Sequence, residues 1–262
     1  MHRKSKNILD KIAANTDFIG KKIIDLTSCH STNDFALTLP DIFGSGTVIV
    51  AEEQTKGRGR QGKSWESNPG ENLTFSLLLR FEKNPLEELF DFSVATALAI
   101  CDALRDFLPE EEFFIKWPND VYVRDKKIAG ILIENVWQGK SLHKTVIGVG
   151  LNVNQEFFEN ARAISMYNCV KKHIDRDSVL MQFCVYFDMI YKRMLTGFAF
   201  AERNRFKNMF YEKNKPRKFD FQGEILHAKI VGMYDDGRIL LEIGNENRVT
   251  AFSLNEISWI FD

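Results

Sequence analysis

The stretch Gly57-Arg58-Gly59-Arg60-Gln61-Gly62-Lys63-Ser64 constrains this chain most, because of what flanks it. Its letters satisfy G-x-x-x-x-G-K-[ST], the loop that cradles phosphates when a buried strand feeds it and a helix leaves it. The strand is present, since Thr47-Val48-Ile49-Val50-Ala51 is a short β-branched apolar run. The helix is not. Pro69 and Gly70 would break it within two turns, and Leu73 to Leu79 reads as another strand. The order is therefore strand, long glycine–arginine loop, strand. Such a loop can still take an anion, through a nest of backbone N–H groups and the forked guanidinium donors of Arg58 and Arg60. It also fits an exposed basic loop without a ligand. A P-loop nucleotidase stays as the rival class, and it requires a helix after Ser64.

The chain has 262 residues, enough for one large domain with a small appendage, and can bury roughly three quarters of its unfolded surface. Apolar residues make up 44% and charged residues 27%, which allows an ordinary globular core; the 22 phenylalanines read as core filling. A net charge of −1 gives no global field for nucleic acid, so any anion site is local. No apolar run reaches membrane-spanning length, and the N-terminus lacks the apolar segment of a signal peptide. Cys29, Cys101, Cys169 and Cys184 form no C-x-x-C pair, and the five histidines stand alone. The expectation is a reduced, cytoplasmic protein with no structural metal, no nucleic acid and no membrane partner.

Along the chain, residues 7–15 read as a short helix. Residues 23–26 read as a strand, and a capping-rich run from Ser28 to Asp34 precedes a helix over 33–39 that Pro40 stops. Strands are expected over 47–52 and 72–80, and a long helix over 85–107 from the spacing of Leu89, Phe92, Ala95, Ala99 and Ala103. Three strands follow, over 113–116, 127–136 and 145–153, with a Trp-Pro-Asn-Asp turn between the first two. Residues 177–210 read as two helices split near Gly197. Past Pro216, alternating runs at 227–231, 238–243 and 248–252, parted by Asp236-Gly237 and Gly244-Asn245, read as a small β-barrel.

Five features carry candidate chemistry, and each also fits a plain structural role. Ser31-Thr32-Asn33 suits a helix cap, and Gln54 suits a polar surface. Lys116-Trp117-Pro118-Asn119-Asp120 suits a rigid turn, and Lys126-Lys127 suits a solvated strand mouth. The glycines of Gly148-Val149-Gly150-Leu151-Asn152 permit another group to approach the strand closely. Taken in order, S-T-N, E-x-x-x-G-R-G-R-x-G-x-x-W, K-W-P-N-D, K-x-A-G-I-L-x-E and G-x-G-x-N resemble the biotin protein ligases, over most of the chain from about Ile24 onward.

The resemblance implies an α+β fold: a mixed sheet backed by helices, of the class II synthetase and biotin ligase kind, with an SH3-like barrel behind it. The division falls into a catalytic domain over 1–214 and a C-terminal domain over 215–262. It implies biotin and ATP as substrates with Mg²⁺, biotinyl-5′-AMP as intermediate, and a lysine of a biotin carboxyl carrier protein as acceptor. Carried over by position, Ser31, Thr32, Asn33 and Gln54 match biotin contacts. Arg58-Gly59-Arg60 matches the loop over biotin and adenylate, and Trp65 the aromatic near the adenine. Lys127 matches the lysine at the biotin carboxylate and α-phosphate. Gly130 and Gly150 let the ligand lie against backbone, and Asn119, Asp120 and Asn152 belong to the nucleotide site. Lys127, Arg58, Arg60 and Asp120 are the expected catalytic set, with no protein side chain assigned to the metal. Lys63 stands where members often have Arg, keeping the charge but losing the fork.

About 30 residues precede Ser31, too few for the winged helix-turn-helix some members carry, so a ligase without repressor function is expected, as monomer or homodimer. Lipoate or octanoyl ligase, and a non-catalytic vitamin-binding module, are the neighbouring readings. The glycine loop, with three glycines and no apolar anchor, is expected to be a mobile flap that orders over the adenylate.

Overall fold

The computed structural model describes residues 12, 15–82, 88–244 and 248–261. The expected helix over 7–15 lies outside these residues except at 12 and 15, as does the expected helical turn over 85–87. Seven strands form one sheet in the order β1-β2-β3-β7-β6-β5-β4. They are β1 (Ile23–Cys29), β2 (Thr47–Gln54), β3 (Leu73–Arg80), β4 (Phe113–Lys116), β5 (Asp120–Val123), β6 (Lys126–Gln138) and β7 (Ser141–Leu151). β1 and β2 run parallel and every other neighbouring pair is antiparallel, so the sheet is mixed as expected. The interior strand β3 is buried on both faces, which is why its sequence carries no charge before Arg80 and is mostly apolar. β5 was not expected: four residues directly after a turn leave too short an alternation to register.

Helices cover both faces. On one side α1 (Thr32–Thr38) packs Ala36 onto Ile49, Leu78 and Val146. On the other, α2 (Asp91–Phe107) is buried along most of its length within the main core, together with Phe75, Phe92, Phe183 and Phe187. Phe75 and Phe183 meet edge-on at 4.8 Å. Not every phenylalanine fills the core, since Phe157, Phe198 and Phe200 are exposed. A one-turn helix α3 (Met166–Val170), unforeseen, is closed by a Ser165–Asn168 capping box. The expected pair of late helices is α4 (Arg176–Arg193) and α5 (Ala199–Asn208), broken at Thr196 and Gly197, where Gly197 takes φ +96°. None of the described helices is long and apolar enough to cross a membrane.

A second, five-stranded antiparallel sheet follows, in the order β11-β10-β9-β8-β12. Its strands are β8 (Arg217–Phe221), β9 (Glu224–Met233), β10 (Ile239–Ile243), β11 (Arg248–Phe252) and β12 (Ile257–Ile260), consistent with a small SH3-like unit. It is fastened to the first sheet by tryptophan. Trp117 Nε1 donates to Gly237 O at 2.9 Å, and Trp259 Nε1 donates to Trp117 O at 3.2 Å. Arg203 on α5, almost fully buried, bonds Asp91 at the start of α2 through two nitrogens at 2.6 and 2.7 Å. The same arginine reaches Asp235 beside β10 at 3.2 Å. The chain at 209–211 bonds to Ile115, so the β4 edge is covered rather than bare.

Candidate active site

The glycine stretch leaves β2 as a tight hairpin. Arg58 bridges Ser64, Gly59 N donates to Lys63 O at 2.6 Å, and Trp65 N donates to Gly57 O at 3.0 Å. Gln61 (φ 52°) and Gly62 (φ 75°) make the reversal. After Ser64 the chain enters β3 without a helix, so the P-loop reading fails. No apolar side chain anchors the loop, as expected, but polar contacts reach it. Arg58 Nη2 lies 2.6 Å from Asp34 and 2.8 Å from Glu134. Arg60 donates to Leu254 O at 3.1 Å, to Asn255 Oδ1 at 3.2 Å and to Asn119 Oδ1 at 3.4 Å. The anchors are charged and polar rather than apolar, and they come from α1, β6, the turn after β4 and the connection before β12.

Around the hairpin lies a cavity of about 460 Å³, a volume suited to a small organic ligand. It brings together Ser31, Thr32, Asn33, Gln54, Arg58, Gly59, Arg60, Trp65, Asn119, Asp120, Lys127, Gly130 and Gly150, drawn from five separate sequence motifs. Asn152 is the exception. Its side chain is buried below the wall, donating to Ile164 O at 3.0 Å, and its Oδ1 has no hydrogen-bond partner. It ties the end of β7 to the segment beside Lys127 instead of lining the cavity.

One wall is made of hydroxyls and amides. Ser31 begins α1 in extended conformation, yet its side chain makes no capping bond. Gln54 performs that service: its Oε1 accepts from Thr32 N at 2.8 Å and Thr32 Oγ1 at 3.2 Å. Asn33 is fully engaged by protein. It donates to Leu132 O at 3.1 Å and Glu134 at 2.8 Å, and accepts from Ser76 at 2.6 Å. A Cβ on Gly148 would sit 2.3 Å from Asn33 Oδ1, so that glycine exists to seat the amide.

The floor is glycine and indole. Gly130 and Gly150 are register partners on β6 and β7, and Trp65 lies directly on them. These glycines therefore admit the indole, where the sequence suggested that they admit the ligand itself. Trp65 Nε1 is buried with no partner in the protein, and an unsatisfied buried donor costs about 1–3 kcal/mol that a ligand acceptor would recover.

The far wall is cationic. Lys127 Nζ stands 2.7 Å from Asp120 Oδ1, an ion pair too poorly angled for a hydrogen bond. Lys116 Nζ stands 3.6 Å from the same carboxylate and within 5.1–5.7 Å of the rings of Tyr122, Trp259 and Phe261. Burial pushes the Lys116 ammonium below its usual value; Asp120 opposes that shift and Lys127 adds to it. Burial likewise lowers Arg60, with Asp120 opposing, and raises the Tyr122 phenol, helped by Asp120. Asp120 is the only carboxylate among the lining residues. Among the described residues no three His, Cys, Asp or Glu side chains are grouped to hold a metal.

Sequence reasoning missed part of this wall. Lys116 stood inside a quoted motif without a role. Arg162, which stacks on Phe261 at 3.9 Å, lies in a stretch without periodicity. Trp259 and Phe261 arrive from the second sheet, and no local signal announces that.

Residues 26–152 match the family model described as "Biotin/lipoate A/B protein ligase family". The chain is 28% identical over 239 residues to the bifunctional ligase/repressor BirA of Bacillus subtilis, covering 88% of this chain and 73% of the relative. It is 39% identical over 130 residues to the biotin–[acetyl-CoA-carboxylase] ligase of Paracoccus denitrificans, covering 49% and 53%. The solved biotin protein ligase from Aquifex aeolicus in complex with biotin and ATP superposes with a TM-score of 0.78 at 29% identity, covering 91% of this chain and 98% of that one.

Proposed function

We propose that this chain, whose residues 26–152 match the biotin/lipoate A/B protein ligase family, activates biotin with ATP and transfers it to a lysine of a carrier protein. The observation that carries the reading is one continuous cavity with a hydroxyl–amide wall at one end and a cluster of cations at the other. A molecule with a polar neutral head and a carboxylate tail fits that order. Ser31 and Thr32, with the amide nitrogen of Gln54, would hold the head. The tail then points towards Lys127.

In the first step the biotin carboxylate attacks the α-phosphorus of ATP, and pyrophosphate leaves. The carboxylate is itself the nucleophile, so the site needs no serine or cysteine. It needs fixed positive charge where negative charge crowds, and Lys127, Lys116, Arg60, Lys63 and Arg162 border that space. Mg²⁺ bound with ATP would supply charge neutralisation there, and among the described lining residues Asp120 is the carboxylate that could approach it. In the second step a neutral lysine amine of the carrier attacks the acyl carbon, AMP leaves, and the amide forms with loss of a proton. Asp120 has the Lys127 and Lys116 ammonium groups at 2.7 and 3.6 Å. Its role is to orient Lys127 and Lys116.

The acceptor is a biotin carboxyl carrier domain, and the working location is cytoplasmic. The catalytic part runs over 1–214 and the small C-terminal part over 215–262, and the protein acts as monomer or homodimer. The test is to mix protein, MgATP and biotin with and without a carrier domain, following pyrophosphate and the acceptor's mass. Biotin-dependent pyrophosphate–ATP exchange and a single biotin mass increment are expected. Exchange with lipoate but not biotin would move the assignment to lipoate ligation. Biotin binding without pyrophosphate release would make the chain a vitamin-binding module.

A further inference from the structure

Glu134 closes the K-x-A-G-I-L-x-E motif, lies outside the cavity wall, and has no part in the chemistry above. We infer that Glu134 is a positioning residue, which latches the glycine hairpin to helix α1 and so sets the width of the biotin end of the cavity. Its Oε2 accepts from Asn33 Nδ2 at 2.8 Å and from Arg58 Nη2 at 2.8 Å, and its Oε1 lies 3.0 Å from the same Arg58 nitrogen. Asp34, the next residue on α1, takes Arg58 Nη2 at 2.6 Å. One carboxylate therefore joins the two walls between which the head group would lie. Asn33 carries the helix that bears Ser31 and Thr32, and Arg58 carries the hairpin.

The consequence for Arg58 is a different role from the expected one. Its guanidinium is turned onto two carboxylates, so it anchors the loop and is not a ready phosphate cation. The ATP end is fixed by separate contacts, Arg60 with Asn119 and Lys127 with Asp120. Loosening the latch should therefore act on biotin and spare ATP. These side chains are also part-exposed, 41% for Arg58, 50% for Asp34 and 26% for Glu134. Salt will screen them, since the Debye length is about 10 Å at 0.1 M and about 3 Å at 1 M.

The test uses the full chain and Glu134→Gln, which keeps an acceptor for Asn33 and removes the charge. Hydrogen exchange over 57–64 without ligand should quicken about fivefold, the scale of one weakened part-exposed ion pair. The biotin KM should rise by about the same factor while the ATP KM stays within about twofold. High salt should quicken exchange in the wild type and do so less in the variant, which keeps only the Asp34 pair. Asp34→Asn, on an exposed helix position, is the second variant and should shift the same readouts in the same direction. Unchanged exchange and unchanged biotin KM in both variants would overturn the latch, as would an equal rise in both KM values. The biotin arm rests on the ligase reading and the exchange arm does not. Wild-type protein that ignores biotin would sink that reading while leaving the hairpin result to decide the latch.

Discussion

Substituting Gly150 by Ala tests the indole floor. Gly150 is not among the positive-φ glycines, so alanine meets no backbone strain there and would otherwise suit a strand better. The whole effect comes from contact. An ideal Cβ at 150 falls 2.3 Å from Trp65 Cε2, 2.6 Å from Cζ2 and 2.7 Å from Cδ2. Carbon atoms rest at about 3.5–4.0 Å, so the ring must retreat by roughly 1 Å. Towards β6 the ring meets Lys127, whose Nζ lies 5.3 Å from the ring centre. Its backbone is held by Gly57 at the hairpin base. The retreat is therefore into the cavity. A misplacement of about 1 Å in a reacting site costs up to about 100-fold in rate, or about 2.7 kcal/mol of barrier. Biotin-dependent pyrophosphate–ATP exchange at saturating substrates reads this loss directly, and a melting curve checks that the fold survives. Gly150→Ala combined with Trp65→Phe should recover part of the rate, because the smaller ring vacates the contested space. Wild-type exchange in Gly150→Ala, or strictly additive losses in the double variant, would show that this glycine does not serve the indole.

Lys127→Ala should slow adenylation by about 10²–10³-fold, the scale for one positioned donor at developing charge, with little change in melting temperature; a near wild-type rate would redirect attention to Lys116. Arg203→Met leaves Asp91, which is fully buried, without its partner, and should destabilise the fold by about 3–5 kcal/mol in urea titrations; a loss under 1 kcal/mol would refute that estimate. Asp188, buried beneath residues 17–19, accepts their three backbone N–H groups and pairs with Lys192 at 2.7 Å. Burial alone would raise its carboxyl; Lys192 and the N–H groups outweigh that and hold it below the usual value. Its stabilisation is thus complete above the unfolded carboxyl pKa of about 4 and fades as pH falls through the lower folded value. Melting curves of wild type and Asp188→Asn should converge towards acid, and parallel curves would discount the pairing.

What was legible in the sequence was local. β3 declares itself by a mostly apolar run buried on both faces, and α2 by its 3–4 spacing of apolar residues. The break at Gly197 shows because its backbone needs φ +96°. β8 and β12 stayed hidden because Arg217–Phe221 and Ile257–Ile260 are short, and β8 is mixed with charge. Within the site, each motif marks residues that one turn or strand mouth places together, so Lys116, Asp120 and Lys127 could be suspected. The partners of Arg60 could not. Leu254 and Asn255 lie almost 200 residues away, in the connection between β11 and β12, and a pairing between loops has no period to read. The polar anchors of the loop escaped for the same reason, since Asp34 and Glu134 come from other elements.

The opening pattern can now be explained by what its glycines do. A phosphate loop works through backbone N–H groups left unsatisfied at a helix start. In this hairpin the amides of Gly59, Lys63 and Trp65 already bond to carbonyls of the same hairpin, so they cannot form an anion nest. Gly62 permits the turn, at φ 75°, and a side chain on Gly57 would crowd the Trp65 carbonyl at 3.0 Å. The glycines thus build a compact two-stranded arm, and the gripping falls to side chains. That division has a consequence for the chemistry. Side-chain cations drawn from the hairpin, from β4 and from β6 surround a reacting phosphate from several directions, as attack and departure on opposite sides of phosphorus require. A single helix N-terminus would approach from one.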